Sequence, residues 1–288
     1  MNSPTRNTHH AVHTQWLLTC TLILLLGAIL RGWGLDSRSL WFDESIEYWM
    51  AVVPLDEVYR AVATATHDPP FYSYLLHSWL QLGIQGFWLR LPSLFASMVA
   101  IAGLLKLGQL MMNWRVGLIA GTFLAISAAD VRYAQEVGQY SLMVCLVVWN
   151  LLFLVRAEKG NRWCDWLIWG AIGLISVYTH YGSAIVLATC GGAMLLHLVT
   201  QKRWTTVSRQ IVVGIGVGIG LLPLVLIIIP QQLGRLGATH LPIDIPFFLR
   251  QSAQILAFPL VGNEGISFWP WTAVSPIIVW LPLLALLL

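Results

Sequence analysis

Charge is what this sequence has least of. Acidic and basic residues make up 10% of its 288 residues, against 57% hydrophobic ones, where a soluble domain carries about 25% charged residues. So few charges cannot solvate a globular surface, but they suit a chain whose outer surface faces lipid. A net charge of +3 is too small for the electrostatic footprint of a nucleic-acid binder, so nucleic acid is excluded as a partner. Cysteine is equally sparse. Cys20, Cys145, Cys164 and Cys190 show no paired spacing, which excludes a disulfide framework and a zinc site. Repeats at solenoid periods and low-complexity linkers are absent. So is a cleavable signal: the first apolar run ends Ile29-Leu30-Arg31-Gly32, which is not a small-residue cleavage site, and it reads as an uncleaved signal anchor. Residues 1–15 ahead of it read as a disordered cytoplasmic tail. His9, His10 and His13 lack a Cys or acidic partner that would make the tail a metal site.

Long apolar runs are what the sequence has in abundance. A membrane span needs about 20 apolar residues, and eight runs qualify: 16–32, 91–112, 115–131, 139–156, 165–181, 183–200, 211–230 and 271–288. The fold expected is all-α, a polytopic integral membrane protein of about eight transmembrane helices, with residues 16–288 as one domain. The last run stops at Leu288 inside an apolar stretch with no basic flank, so the chain is expected to be truncated at its C-terminus. Val212–Gly220 carries small residues at close spacing, a pattern that lets helices pack tightly in lipid.

A ninth run, 69–83, is shorter and interrupted by Ser73, His77, Ser78 and Gln81. Its large apolar residues recur four apart, at 71, 75 and 79 and at 72, 76 and 80, which predicts an amphipathic helix at the interface rather than a span. Charge supports that choice, because cytoplasmic loops collect Lys and Arg. With 69–83 outside the bilayer, Arg6, Arg115, Arg156, Lys159, Arg162, Lys202, Arg203 and Arg209 fall on or beside the inner segments, and eleven of the thirteen acidic residues fall outside. The N-terminus is then cytoplasmic. Asp43, Glu44, Asp68, Asp130, Glu136 and His180 gather at the outer face.

Those outer loops hold the residues able to carry chemistry. Asp43 and Glu44 lie just beyond the first span among aromatic residues; either could serve as a general base, and either could simply cap and start a helix. His67-Asp68-Pro69-Pro70 reads equally as a structural corner, with Asp68 a helix cap and His67 a hydrogen-bonding group. Residues 132–140, with Arg132, Tyr133, Gln135, Glu136 and Tyr140, form a polar knot between two spans. Ionisable residues at such a boundary are functional candidates. Arg90 and Arg132 could snorkel to the interface or bind a phosphate. His180, at the outer end of the fifth span, reads as an interface residue.

Taken in order, LWFDES, HDPPFYSYLLHSWLQLG, LRLPSLFASMVAIAGLLKLGQLM, GLIAGTFLAISAADVRYAQEVGQYSL and YTHYG resemble the GT-C superfamily of membrane glycosyltransferases. Within it the chain is most similar to the branch that contains protein O-mannosyltransferases and lipid A aminoarabinose transferases. The resemblance implies an enzyme of the cell membrane that moves a sugar from a polyprenyl-phosphate donor to a lipid, glycan or protein acceptor on the outer face; the alternatives are a non-catalytic relative that binds the polyprenyl carrier and a transporter of a lipid-linked glycan. The resemblance makes Asp43 the base that deprotonates the acceptor, with Glu44 beside it, and Glu136 the second acid. His67, Asp68, Arg90, Arg132, Tyr133, Gln135, Tyr140 and His180 would surround donor and acceptor, and segment 69–83 would form one wall of the cleft. No cofactor is required, although a divalent metal is compatible with such a site. One departure stands out: relatives read Gln-Glu-Ala-Arg-x-Tyr, where this chain has Gly138 in place of the Arg.

Overall fold

The computed structural model describes residues 4–66 and 68–233, and helix is the only regular element among them. Helix α1 runs Pro4–Gly32. It is followed by three short helices, α2 (Phe42–Val52), α3 (Val58–Ala65) and α4 (Phe71–Trp79). The bundle proper continues with α5 (Gly86–Met111), α6 (Trp114–Ile126), α7 (Ala128–Ala134), α8 (Tyr140–Gly160), α9 (Trp163–Thr179), α10 (Gly182–Thr200) and α11 (Trp204–Gly220), then a π-helical turn at Leu224–Ile228.

Seven of the eight apolar runs fall on these helices, and the eighth, 271–288, lies outside the described residues. Thr14–Gly32, α5, α8, α10 and Trp204–Gln231 are long and apolar enough to cross a membrane. The bent pair α6–α7 makes a sixth crossing if it is one span, and α9, at 17 residues, sits at the lower limit of the usual length. Leu18, Leu22, Leu25 and Ile29 form an exposed apolar stripe on α1, at spacings of three and four that mark one helix face. Such a face is at home against lipid.

Three elements depart from the sequence expectation. The segment expected to be a disordered tail is helical from Pro4 onwards, and Pro is well suited to that first helical position because its φ is already set. The third run does not stay straight. It breaks by 60° between α6 and α7 at Ser127, whose hydroxyl accepts from the Asp130 amide at 3.4 Å and so starts a new helix. The tight glycine packing is only partly where 212–220 placed it: a Cβ on Gly220 would stand 2.9 Å from Leu174 Cδ2. Gly214, Gly216 and Gly218 face open space among the described residues, whereas a Cβ on Gly108 would stand 2.6 Å from Gly117 Cα, and one on Gly117 2.3 Å from the Leu105 carbonyl oxygen. The seam in which backbone meets backbone is therefore α5 against α6.

Segment 69–83 forms a helix of nine residues, about 13 Å long and far too short to span. Tyr72 and Leu76 are buried while Leu75 is exposed, so the stripe at 72, 76 and 80 is the packed one. α4 is also tied to α5 through a proline. Pro92 inside α5 has no N–H, which leaves the Trp88 carbonyl without its helical donor; the Trp79 indole N–H fills that vacancy at 2.8 Å.

The bundle has two chemically distinct ends. At one, Arg156 pairs with Asp165 at 3.1 Å, Arg203 with Glu158, and Lys159 donates to the Leu110 carbonyl at 2.5 Å. At the other, α2, α3, α4, α7 and the loop before α8 converge on the C-terminus of α1 and the N-terminus of α5. The Gln135 amide donates to the carbonyls of Leu30, Arg31 and Trp33 at 3.1, 3.2 and 2.9 Å. A cluster of Ala51, Tyr72, Leu76, Leu89 and Val137 forms the floor on which this end is assembled.

Candidate active site

The site is built on α2. Its first turn holds Asp43 and Glu44, and its buried positions are Glu44, Glu47, Met50 and Ala51, a three-to-four spacing that defines the inward face. Glu44 is 1% exposed. One of its oxygens accepts from the Trp41 amide at 3.2 Å, the local capping contact, and the other from the Val137 amide at 2.9 Å. Arg90 grips both oxygens, Nε to Oε1 at 2.9 Å and Nη2 to Oε2 at 2.8 Å. The same guanidinium donates to the Leu35, Arg38 and Ser39 carbonyls. Glu44 and Arg90 are thus fully engaged with each other and with the backbone. They lash α2, the first loop, α5 and Val137 together, and neither reaches open space.

A second closed cluster lies alongside. Arg31, with no exposed surface, donates to Asp130 at 2.5 Å, to Ser97 at 2.6 Å and to the Ala125 carbonyl at 2.8 Å. The Ala125 carbonyl it contacts is one freed by the break at Ser127, and Arg31 also reaches the Leu124 carbonyl, which accepts from the capping Ser127 amide. Arg31 therefore stabilises the bend that aims α7 at the site.

At this end of the bundle lies a cavity of about 410 Å³, within the usual range for a small-molecule site. Three stretches line it: Trp41 with Asp43 and Glu47 of α2, the corner with Thr66 and Asp68, and Arg132, Tyr133 and residues 136–140. Asp43, Asp68, Arg132, Tyr133, Glu136 and Tyr140 therefore meet around one space. Asp43 is exposed, and its carboxylate makes no hydrogen bond or ion pair among the described residues. Arg132 is the one cation among the described lining residues. Its Nε donates to Glu136 at 2.9 Å, and its guanidinium lies 5.9 Å from the centroid of the Trp41 ring, within cation–π range. Burial raises the Glu136 pKa, with Arg132 opposing part of that rise.

Other candidates fall outside the lining. Gln135 is committed to the end of α1. His180 accepts from the Gly182 amide at 3.0 Å and stacks on Tyr140 at 5.7 Å between centroids, Tyr140 in turn stacking on Tyr133 at 4.7 Å. The imidazole thus backs the aromatic wall. His67 lies outside the described residues. Segment 69–83 contributes none of the lining; it supports the floor instead of forming a wall. Gly138 does line the cavity, and a Cβ there would meet only Tyr140 Cδ2 at 3.9 Å.

Glu47 escaped the sequence reading. It is 9% exposed, lines the cavity, and its Oε2 is buried without a hydrogen-bond partner. Burial, reinforced by Asp68 and then Asp43, pushes its pKa up to about 8. The signal was available: Glu47 follows Asp43 by four, one turn along the same helix face. Among the described residues no three His, Cys, Asp or Glu side chains converge as metal ligands.

Comparison with known proteins agrees with this architecture. No curated protein gives a match to the chain. Residues 67–229, more than half of the chain, match the family model described as dolichyl-phosphate-mannose-protein mannosyltransferase. Asp43 and the rest of α2 precede that matched stretch. A polytopic helical bundle with a polar cavity at one end suits membrane enzymes that draw on lipid-linked sugar, and by the extent of its match this chain belongs to the dolichyl-phosphate-mannose-protein mannosyltransferase family.

Proposed function

We propose that the chain transfers a mannosyl group from a polyprenyl-phosphate donor to an acceptor hydroxyl, with Asp43 as the general base. The observation that carries this reading is the contrast within the Asp43–Glu44 pair. Glu44 is buried and fully bonded, whereas Asp43 faces the cavity without a partner among the described residues. A carboxylate so placed is available to a substrate proton.

In the proposed step the acceptor hydroxyl gives its proton to Asp43 as its oxygen attacks the anomeric carbon. The bond between that carbon and the phosphate oxygen breaks, the electron pair leaves with the polyprenyl phosphate, and the configuration inverts. Arg132 offsets the charge that develops on the phosphate, a role that suits a guanidinium. Glu136 holds the Arg132 side chain in place at its Nε. The step as written draws on no metal ion.

Sidedness follows from charge. The end that carries the cavity is the acid-rich one, and the opposite end carries Arg156, Lys159, Arg162, Lys202, Arg203 and Arg209. Basic loops stay in the cytoplasm, so the cavity is assigned to the outer face of the cell membrane. The acceptor is a lipid, glycan or protein hydroxyl presented there.

The test is transfer by membranes containing the protein, supplied with labelled polyprenyl-phosphate mannose. The reading expects labelled product together with free polyprenyl phosphate from the wild type, and a loss of about 10²-fold or more in rate with Asp43→Asn. Donor that binds but is never turned over by the wild type would reject the transferase and leave a protein that only holds the carrier.

A further inference from the structure

We propose that Glu47 is a sugar-recognition residue, its carboxyl hydrogen-bonding a ring hydroxyl of the hexose carried by the donor. The proposal rests on the reading of this cavity as the transfer site and adds a residue that decides which lipid phosphate is accepted.

The position of Glu47 is unusual for a structural residue. Its neighbours on the inward face of α2 are Glu44, which has four hydrogen-bond donors around it, and the apolar Met50 and Ala51. Glu47 has neither an apolar side chain nor, at Oε2, a partner. A buried polar atom left unsatisfied costs about 1–3 kcal/mol, and a Leu or Met at this position would avoid that cost. The missing partner is therefore sought in the cavity that the residue lines.

The groups that face it indicate what that partner is. Asp43 stands one turn away on the same helix, Asp68 on the corner, and Arg132 and Glu136 across the cavity. Tyr72 on α4 and Tyr140 at the start of α8 also sense its charge. With so many acids nearby and the carboxyl buried, Glu47 is neutral around pH 7, its pKa standing at about 8. A neutral carboxyl both donates and accepts a hydrogen bond, as does a hydroxyl. It also places no negative charge against the incoming phosphate. Tyr140, Tyr133 and Trp41 supply aromatic surface around the same space, of the kind that ligand pockets combine with a few convergent polar groups. Residues four apart on a helix have Cβ atoms about 5–6 Å apart. A hexose held at Glu47 therefore has its far ring atoms within reach of the acceptor activated by Asp43.

The experiment is equilibrium binding of two ligands, polyprenyl-phosphate mannose and bare polyprenyl phosphate, to the purified full chain in detergent. Wild type, Glu47→Gln and Glu47→Leu are compared at about pH 7 and about pH 9, on either side of the titration. The wild type is expected to prefer the mannosylated lipid by roughly tenfold, the effect of one good hydrogen bond to a buried group. That preference should fall severalfold as the pH rises through about 8, because only the protonated carboxyl donates. Glu47→Gln should keep most of the preference and lose its pH dependence, while Glu47→Leu should bind both ligands alike. A preference that persists in Glu47→Leu, or one that is flat with pH in the wild type, would overturn the assignment. If Glu47→Leu does not fold, the pH slopes of wild type and Glu47→Gln decide the matter alone. Failure of the transferase reading looks different: the wild type would discriminate the two lipids through Glu47 and yet yield neither mannosylated acceptor nor free polyprenyl phosphate.

Discussion

Two sets of opposite charges meet at the same end of this bundle, and they are built to opposite specifications. Glu44 with Arg90, and Asp130 with Arg31, are closed: every side chain is at least nine-tenths buried, and the arginines are surrounded by backbone carbonyls as well as carboxylates. Asp43, Glu47 and Arg132 with Glu136 are open, gathered around 410 Å³ of space. The residue types are the same in both sets. What differs is whether the bonding capacity is spent within the protein. Closed pairs fix the angle between elements, whereas in the open set the Asp43 carboxylate and Glu47 Oε2 keep bonding capacity among the described residues. Two adjacent residues, Asp43 and Glu44, fall on either side of that division because α2 turns one inward to Arg90 and the other to the cavity.

Breaking a closed pair should have the largest effect. Arg90→Met leaves the Glu44 carboxylate buried without its cation, which is expected to destabilise by about 3–5 kcal/mol. Thermal unfolding in detergent would show a large loss for Arg90→Met and a much smaller one for Arg90→Met combined with Glu44→Met. A single variant as stable as wild type would show that the pair does not lock the fold.

Glu47 sharpens the comparison in the other direction, because an open site can cost stability. Its folded pKa of about 8 lies above the ordinary value of 4.5. Between those values the folded protein holds a proton that the unfolded chain has lost, so stability falls as pH rises through the window. Glu47→Gln removes this dependence. The variant should match wild type near pH 4 and exceed it by on the order of 3 kcal/mol at pH 7. Unfolding midpoints that show the same difference at both pH values would contradict the burial of a neutral carboxyl.

Two glycines give the smallest and most local contrast. Gly117→Ala places a methyl group 2.3 Å from the Leu105 carbonyl, overpacking that should cost about 1–3 kcal/mol. Gly138→Ala, on the open cavity wall, should change stability by less than about 0.5 kcal/mol. Equal losses for the two would mean that the wall at residue 138 is not open.

Much of the scaffold was legible in the sequence. Apolar runs marked the helices, and the alternation of acidic and basic loops anticipated that Asp43, Asp68 and Glu136 share one end. What could not be read was the pairing. Nothing near Glu44 announces that Arg90, 46 residues later, will engage both of its oxygens, so the residues by themselves did not say which of the two acids faces the cavity; only the family resemblance favoured Asp43. The bend at Ser127 did have a signal, a Ser three residues before Asp130, but a continuous apolar run masked it. Glycine spacing misled at 214–218 because small residues permit close packing without choosing the neighbour. Glu47 was hidden by attention to the neighbouring acid pair, when the i to i+4 relation to Asp43 is the geometry that matters on a helix.

The central claim is that Asp43 performs chemistry while Glu44 holds structure. Its most direct test measures mannosyl transfer and thermal stability side by side for Asp43→Asn and Glu44→Gln in the same membranes. The account predicts that Asp43→Asn loses about 10²-fold or more in rate with an unchanged unfolding midpoint, and that Glu44→Gln unfolds at a clearly lower temperature. Transfer at the wild-type rate by a stable Asp43→Asn protein would contradict it and remove Asp43 from the mechanism.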